Sequence, residues 1–339
     1  MELKNLKYLT PVFLALIFSI ALAAYYQTPI GADVHFHQEI ADSWRRGELG
    51  MFSDVVMDMN KLPYPPLQHF LMIAIPPIFL QILMLPLAVA SMSYLYWKDD
   101  KFSALLAGAL VMGSYAFVDR AIQVNPQAIT MILLPLALHS ALRQKNDAMR
   151  QNKLLIATST LMIWNHGLVS LACLGGIFLF LIARRHYKSL SWILLFSLPI
   201  IASQLYYLPS ALQHFAGGFE NLQEQQFWSN PLTFTALYQR IISLGFPIVS
   251  YLFWIKNTRQ SDSNNLMLLT LFSMSVMILP WGDRFIQLST IPLTYIIIDF
   301  IKNTGRKKRE LWLYGITLAF VMFYATLWLW MMVDNFYVV

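Results

Sequence analysis

Long apolar runs separated by short clusters of charge dominate the pattern of this chain. They fall near residues 8–26, 69–97, 102–118, 124–142, 154–183, 190–208, 233–255, 265–282, 285–301 and 311–333. A bilayer core about 30 Å thick is crossed by roughly 20 apolar residues of helix, so these runs read as membrane segments. The run 154–183 differs from the others. Lys153 and Arg184 close it, and Trp164-Asn165-His166-Gly167, a poor sequence for hydrocarbon, sits in its middle. One crossing there would move every later loop to the other side of the membrane. The pattern instead predicts a short helical hairpin, about 154–164 and 167–183, with its turn below the membrane surface. An arm of about 11 residues reaches only about 16 Å, so the turn is expected to line a cavity, where irregular backbone is tolerated at depth. The expected fold class is an all-α integral membrane protein of about eleven transmembrane segments, forming a single transmembrane domain over residues 1–339.

Charge gives this arrangement a direction. With the amino terminus inside, 18 of the 24 lysines and arginines fall on the inner side, including Lys98, Arg143, Arg184 and the cluster Lys302 to Arg309. Only Arg45, Arg46, Lys61, Arg120, Arg240 and Arg284 fall outside. That is the positive-inside asymmetry of a protein in the plasma membrane. The net charge of +6 is then a topology signal, and nucleic acid is not an expected partner. Composition agrees: 57% of residues are hydrophobic and 12% charged, against roughly 25% charged in a soluble domain. A disordered, coiled-coil or ordinary cytosolic protein is excluded. The lone cysteine, Cys173, lies in an apolar run and supports neither a disulfide framework nor a thiolate zinc site. Lys4, Lys7 and Ala21-Leu22-Ala23 have the outline of a cleaved signal peptide. Their apolar stretch exceeds the usual 7–15 residues of such a peptide, so residues 1–23 are expected to stay as part of the first helix.

The first outer loop, residues 27–68, holds six of the 18 acidic residues. It is far longer than a connector between two antiparallel helices requires. Gly31-Ala32 precedes Asp33, which suits the N-cap of a helix. His37, Ile40, Ala41 and Trp44 follow on one semi-apolar face, Glu39, Asp42, Ser43 and Arg46 take the wet face, and Gly47 ends the run. This reads as an interfacial helix in which His37 stands one turn beyond Asp33. Pro63-Tyr64-Pro65-Pro66 then forms a stiff extended entry to the next helix, with His69 just inside it.

The run Gly31-Ala32-Asp33-Val34-His35-Phe36-His37, the ending from Trp44 to Gly47, and Tyr64-Pro65-Pro66-Leu67 before His69 resemble the first outer loop of GT-C-type membrane glycosyltransferases. Trp164 to Gly167 and Gly282-Asp283-Arg284-Phe285 fit that family's layout more loosely. The resemblance is strongest over residues 1–70. It implies transfer of a sugar from a polyprenyl-phosphate carrier at the outer leaflet, with an acidic residue early in this loop as the catalytic group. That role falls on Asp33. The acceptor it implies is a glycan, a lipid or a protein. The chain is short for the family and has no paired Asp-x-Asp motif in the loop, which leaves metal dependence and acceptor open.

Each candidate also has a plainer role. Asp33 serves as a helix cap or as the carboxylate that takes a proton while an oxocarbenium-like centre is attacked. Asp42, Asp54 and Asp58 read as solvated loop acids. Asp33, His35 and His37 have the alternate spacing of a divalent-metal site if extended; a helix turns His35 away, and the helix is preferred. His37 orients Asp33 or is an ordinary interfacial histidine. Arg284, Arg240 and Arg120 are the outward arginines beyond the loop and suit a lipid phosphate, or else snorkel to headgroups and pair with Asp119 and Asp283. His166 and Asn165 line the cavity or simply close the turn. Tyr64 and His69 complete the expected substrate-binding set. Two other functions fit less well: a transporter or flippase lacks visible repeat symmetry, and an acyltransferase using His166 leaves the acidic loop unexplained.

Overall fold

The computed structural model describes residues 3–30, 34–48, 54–57, 60–63, 65–97, 100–143, 149–206, 262–275, 282–303 and 307–310. A 3-10 turn over Leu3–Leu9 leads into α1 (Thr10–Tyr26), and α2 (Val34–Arg45) follows. Next come strands β1 (Asp54–Met57) and β2 (Asn60–Pro63), α3 (Leu67–Ala74) and α4 (Pro77–Trp97). The chain continues through α5 (Lys101–Met112), α6 (Tyr115–Ala121), α7 (Pro126–Leu142), α8 (Met149–Ala183) and α9 (Tyr187–Tyr206). Two more helices, α10 (Asp262–Met274) and α11 (Gly282–Asn303), are described beyond it. The segments expected at 233–255 and 311–333 lie outside the described residues.

Local chemistry starts these helices. Asp100 accepts from the Phe102 amide at α5, Ser114 from the Phe117 amide at α6, and Asn125 from the Ala128 amide at α7. Each satisfies an orphan N–H of a first turn. Pro126 follows Asn125 directly, where a missing N–H costs nothing.

Two sequence expectations need correction. The run 69–97 is not one helix. Ile75, held extended at φ −130° and ψ 124° by the proline after it, ends α3, and the carbonyl of Pro76 accepts from Phe79 and Leu80 to start α4. The run 102–118 likewise divides at Gly113-Ser114, where the Ser114 cap begins α6. The outer loop adds a short antiparallel ribbon, in which Asp54 pairs with Pro63 and Met57 with Asn60, to an otherwise all-helical fold of the expected class.

The hairpin in the odd apolar run is present, with a longer first arm than its apolar residues indicate. Non-helical angles at His166 (φ −149°, ψ 46°) and Gly167 (φ 19°, ψ −104°) interrupt α8. The Ser170 hydroxyl donates to the Met162 carbonyl at 2.6 Å. In a continuous helix those residues would be about 12 Å apart along the axis, so the chain reverses. The arms are 149–165 and Val169–Ala183. The second arm lies against α10, where Gly176 donates its amide to the Ser273 hydroxyl at 2.9 Å. Small residues permit such close approach between membrane helices.

The outside of the bundle is apolar. Phe13, Leu14, Ile17 and Ile20 of α1, Phe79, Leu83 and Leu87 of α4, and Leu194, Leu195, Phe196 and Leu198 of α9 are all exposed. A soluble monomer does not display such a surface. Among the described residues, three helices are long and apolar enough to cross a bilayer: Leu6–Tyr26, Pro77–Trp97 and Tyr187–Tyr206. The protein is an integral membrane protein.

Two ends of the bundle can be told apart. At one, Arg309 reaches Asp100 at 3.5 Å, and the Lys302 ammonium stands 5.3 Å from the Tyr96 ring centre. At the other, where α4 begins, the outer-loop helix, the hairpin apex and the start of α7 come together.

Candidate active site

The second end is organised by a short stretch, residues 120–126, that links α6 to α7. The Val124 amide donates to the Ile30 carbonyl at 3.2 Å. Gln68 of α3 donates its Nε2 to the Val124 carbonyl at 3.1 Å, and the Ile30 amide donates to Oε1 of Gln81 in α4 at 2.8 Å. Asn165, at the hairpin apex, donates to the Pro126 carbonyl and to the Thr130 hydroxyl. Buried backbone needs partners, and in this apolar setting neutral amide side chains supply them: Gln68, Gln81 and Asn165 are each at most 1% exposed.

Arg120 joins the same stretch. Its Nη1 donates to Gln123 Oε1 at 3.3 Å, an oxygen that also accepts from Asn125 Nδ2 at 3.1 Å. Its Nε donates to Oε1 of Gln287, on the far helix α11, at 3.0 Å. Arg284 lies one turn before Gln287 on α11, so the backbone brings two of the sequence-predicted cations to one corner of the bundle.

The outer-loop helix packs on α3, and its Val34 and Ala41 belong to a small apolar cluster with Met72 of α3, Leu80 and Met84 of α4, Val124, and Ala128 and Ile129 of α7. Within this contact Nδ1 of His37 lies 3.1 Å from Nε2 of His69. The Trp44 ring meets His69 edge-on at 5.0 Å between centres, and Arg45 Nη2 donates to the Ile73 carbonyl in the last turn of α3 at 2.7 Å. A cation there complements the negative end of the helix dipole. Both α2 and α3 lie outside the three spans. Burial lowers the His37 pKa to about 4. Burial, then the neighbouring His37, lowers that of His69 to about 3, with the Pro65 carbonyl acting in the opposite direction. Both rings are therefore neutral near pH 7 and share one N–H···N bond.

The fates of the sequence-predicted residues differ. Asp33, Tyr64 and Arg240 lie outside the described residues, but Ile30 and Val34, which flank residues 31–33, are both fixed in this region. His37 and His69 face one another inside the protein. His166 is half-buried at the hairpin apex beside Asn165. His35 is exposed on the opposite face of α2 from His37, so the helix separates the pair that an extended segment would have aligned for a metal. Sequence reading missed Gln68, Gln81, Gln123 and Gln287. Their signal was available: neutral amides standing in or beside long apolar runs.

Comparison with known proteins shows the fold. No family model matches the chain, and no curated protein sequence does. Among solved structures it is similar to the crystal structure of ArnT from Cupriavidus metallidurans bound to undecaprenyl phosphate, with a TM-score of 0.58 and 12% identity. The match covers 95% of this chain and 63% of that one, so the chain spans less than two thirds of its neighbour's length. The fold is GT-C-like.

Proposed function

We propose that this protein moves a sugar from a polyprenyl-phosphate carrier to an acceptor hydroxyl at the extracytoplasmic face of the plasma membrane, with its amino terminus in the cytoplasm. The observation that carries the reading is the meeting at residues 120–126 of the outer-loop start, the hairpin apex and Arg120, in a GT-C-like fold. ArnT is a GT-C glycosyltransferase, and its structure holds undecaprenyl phosphate.

In this reading Asp33 takes the proton of the acceptor hydroxyl as its oxygen attacks the anomeric carbon. The bond from that carbon to the phosphate oxygen breaks, and polyprenyl phosphate leaves with the electron pair. The phosphate is already a good leaving group, so one carboxylate suffices. Arg284, Arg240 and Arg120 stabilise the phosphate charge, which grows as the bond breaks. Two neutral amide oxygens orient Arg120 in this role. His166 and Tyr64 line the sugar side, and the acceptor is a glycan, a lipid or a protein.

The test is direct. Purified protein in lipid nanodiscs is given radiolabelled undecaprenyl-phosphate hexose, or the corresponding pentose, together with an extract of envelope glycans and lipids. Labelled sugar should appear on acceptor with matching release of undecaprenyl phosphate. Absence of transfer from both donors, with correctly folded protein, would sink the reading.

A further inference from the structure

We infer that the cleft between the second hairpin arm and α10 holds an anionic phospholipid, in the leaflet away from the candidate active site. The arm, Val169–Ala183, runs about 22 Å from the apex, so its last turn belongs to the other end of the bundle. There α8 and α10 enclose a cavity of about 370 Å³. Phe180, Leu268 and Leu269 give it apolar walls, while Arg184, Asp262 and Asn265 supply its polar lining. The Arg184 and Asp262 side chains are 46% and 61% exposed, so the polar side is open. Apolar walls beside a charged opening suit a molecule with a hydrocarbon chain and an ionic head.

The sign of that head follows from the charges. Arg184, Arg185 and Lys188 are all exposed at the connection from α8 to α9, and among the described residues lining the cavity the one acid is Asp262. Asp262 pairs with the Arg184 guanidinium, which also lies 5.4 Å from the Phe180 ring centre. A guanidinium has five N–H donors and a carboxylate engages two of them at most. The pair therefore aims Arg184 and leaves donors for a phosphate.

Arg185 and Lys188 stand where local structure disfavours them. His186 donates to the Leu181 carbonyl and Arg185 to that of Ile182, the bonds of a Schellman cap. Arg185 accordingly takes φ +59°, in a position that favours glycine. Arg184 already complements the α8 dipole, so capping gives no reason for a second arginine. Lys188 lies in the first turn of α9, which holds no acidic residue, at the positive end of a helix dipole. A phosphate between them offsets both costs, and basic pockets between membrane helices bind anionic head groups.

Protein released from nanodiscs of equal phosphatidylglycerol and phosphatidylcholine is weighed by native mass spectrometry, which identifies the lipids that stay bound. Wild type should retain phosphatidylglycerol in preference. Arg184→Gln, Arg185→Gly and Lys188→Gln should each lower that preference roughly fivefold, the worth of one cation at a membrane surface. Leu268→Trp, which fills the cavity, should lower it with all three cations in place. In nanodiscs of phosphatidylcholine alone, Arg185→Gly should melt no lower than wild type, because it relieves the left-handed backbone; a lower melting point would make Arg185 a structural cap and overturn the assignment. Lys307→Gln with Lys308→Gln, at the same end but outside the cavity lining, is the control. An equal loss in that control, or an unchanged preference in the three cleft variants, means general surface charge and overturns the proposal. Displacement of the lipid by excess inorganic phosphate would make this a free-anion site and overturn it as well.

Discussion

His37 and His69, 32 residues apart in sequence, meet through their ring nitrogens at 3.1 Å inside the protein. A proton on the accepting nitrogen would break this bond, and burial disfavours a charge on either ring. Their folded pKa values, about 4 and about 3, lie below the unfolded value of 6.5. Between those limits the unfolded chain binds more protons than the folded one. Stability is therefore complete above pH 6.5 and is lost as pH falls toward 4, by up to about 1.4 kcal/mol per pH unit for each ring. Thermal unfolding in nanodiscs followed from pH 7.5 to 5 should show this slope. His69→Gln should flatten it, and an equal slope in wild type and variant would show that other groups titrate.

Gly176 provides a test of the helix crossing behind the hairpin. A Cβ added there would run into the backbone of Leu269 and Thr270 on α10. Gly176→Ala should destabilise the protein by about 1–3 kcal/mol, the usual range for overpacking. At Gly47 no atom lies within 4 Å of such a Cβ, but φ is +73°. Gly47→Ala should therefore cost less, about 1 kcal/mol of backbone strain. Melting temperatures of the two variants give the order, and a reversed order would mean that α8 and α10 are not in close contact.

Asn165 holds the hairpin apex to the start of α7. Asn165→Leu should leave the Pro126 carbonyl and the Thr130 hydroxyl with one donor fewer, at a cost of about 1–3 kcal/mol. Asn165→Asp at neutral pH should be worse, since it replaces the donor by a buried charge. Stability near wild type for both variants would remove Asn165 from the organisation of this end.

The parts of this architecture that were legible in sequence are those in which a residue's local chemistry decides. Gly47 ends the outer-loop helix in a left-handed conformation, with Glu48 donating back to the Ser43 carbonyl, as a glycine after an amphipathic run implies. The reversal at His166-Gly167 was visible because those residues are expensive in hydrocarbon. Counting apolar residues concealed the breaks at Pro76 and Gly113-Ser114, where hydropathy stays high while the backbone cannot continue. It also cut the first hairpin arm short, because that helix runs on through the polar residues 150–153. The amides at positions 68, 81, 123 and 287 were passed over for a similar reason. In a long window one glutamine is noise, yet in a low-dielectric interior it is among the strongest hydrogen-bonding groups present. The contact of His37 with His69 depends on how α2 docks, which no local pattern encodes.

Replacement of Asp33 by asparagine separates the catalytic role proposed for it from the capping role its sequence position suggests. Asparagine caps a helix about as well as aspartate, so unfolding should hardly change. Turnover should fall on the order of a hundredfold or more, the scale of a lost general base. Sugar transfer from labelled carrier by the purified variant is the measurement. An active Asp33→Asn beside an inactive Asp42→Asn would move the base to the wet face of α2.

Arg284 offers the sharpest separation between a binding role and an anchoring one. Its backbone lies one turn before Gln287, the partner of Arg120, and the proposed reading gives both arginines the same carrier phosphate. At membrane depth a phosphate is poorly screened, and a planar fork making two parallel bonds gains more than in water. Arg284→Lys keeps the charge and loses the fork, so donor binding should be only partly retained. Arg284→Ala should weaken it further, while the folded fraction stays near wild type. An anchor paired with the adjacent Asp283 makes the opposite forecast: lower expression or inverted final helices, with unchanged affinity per folded molecule. Binding of undecaprenyl phosphate to correctly inserted, purified variants distinguishes them. Equal affinity in wild type and Arg284→Ala would leave the phosphate to Arg120 and Arg240.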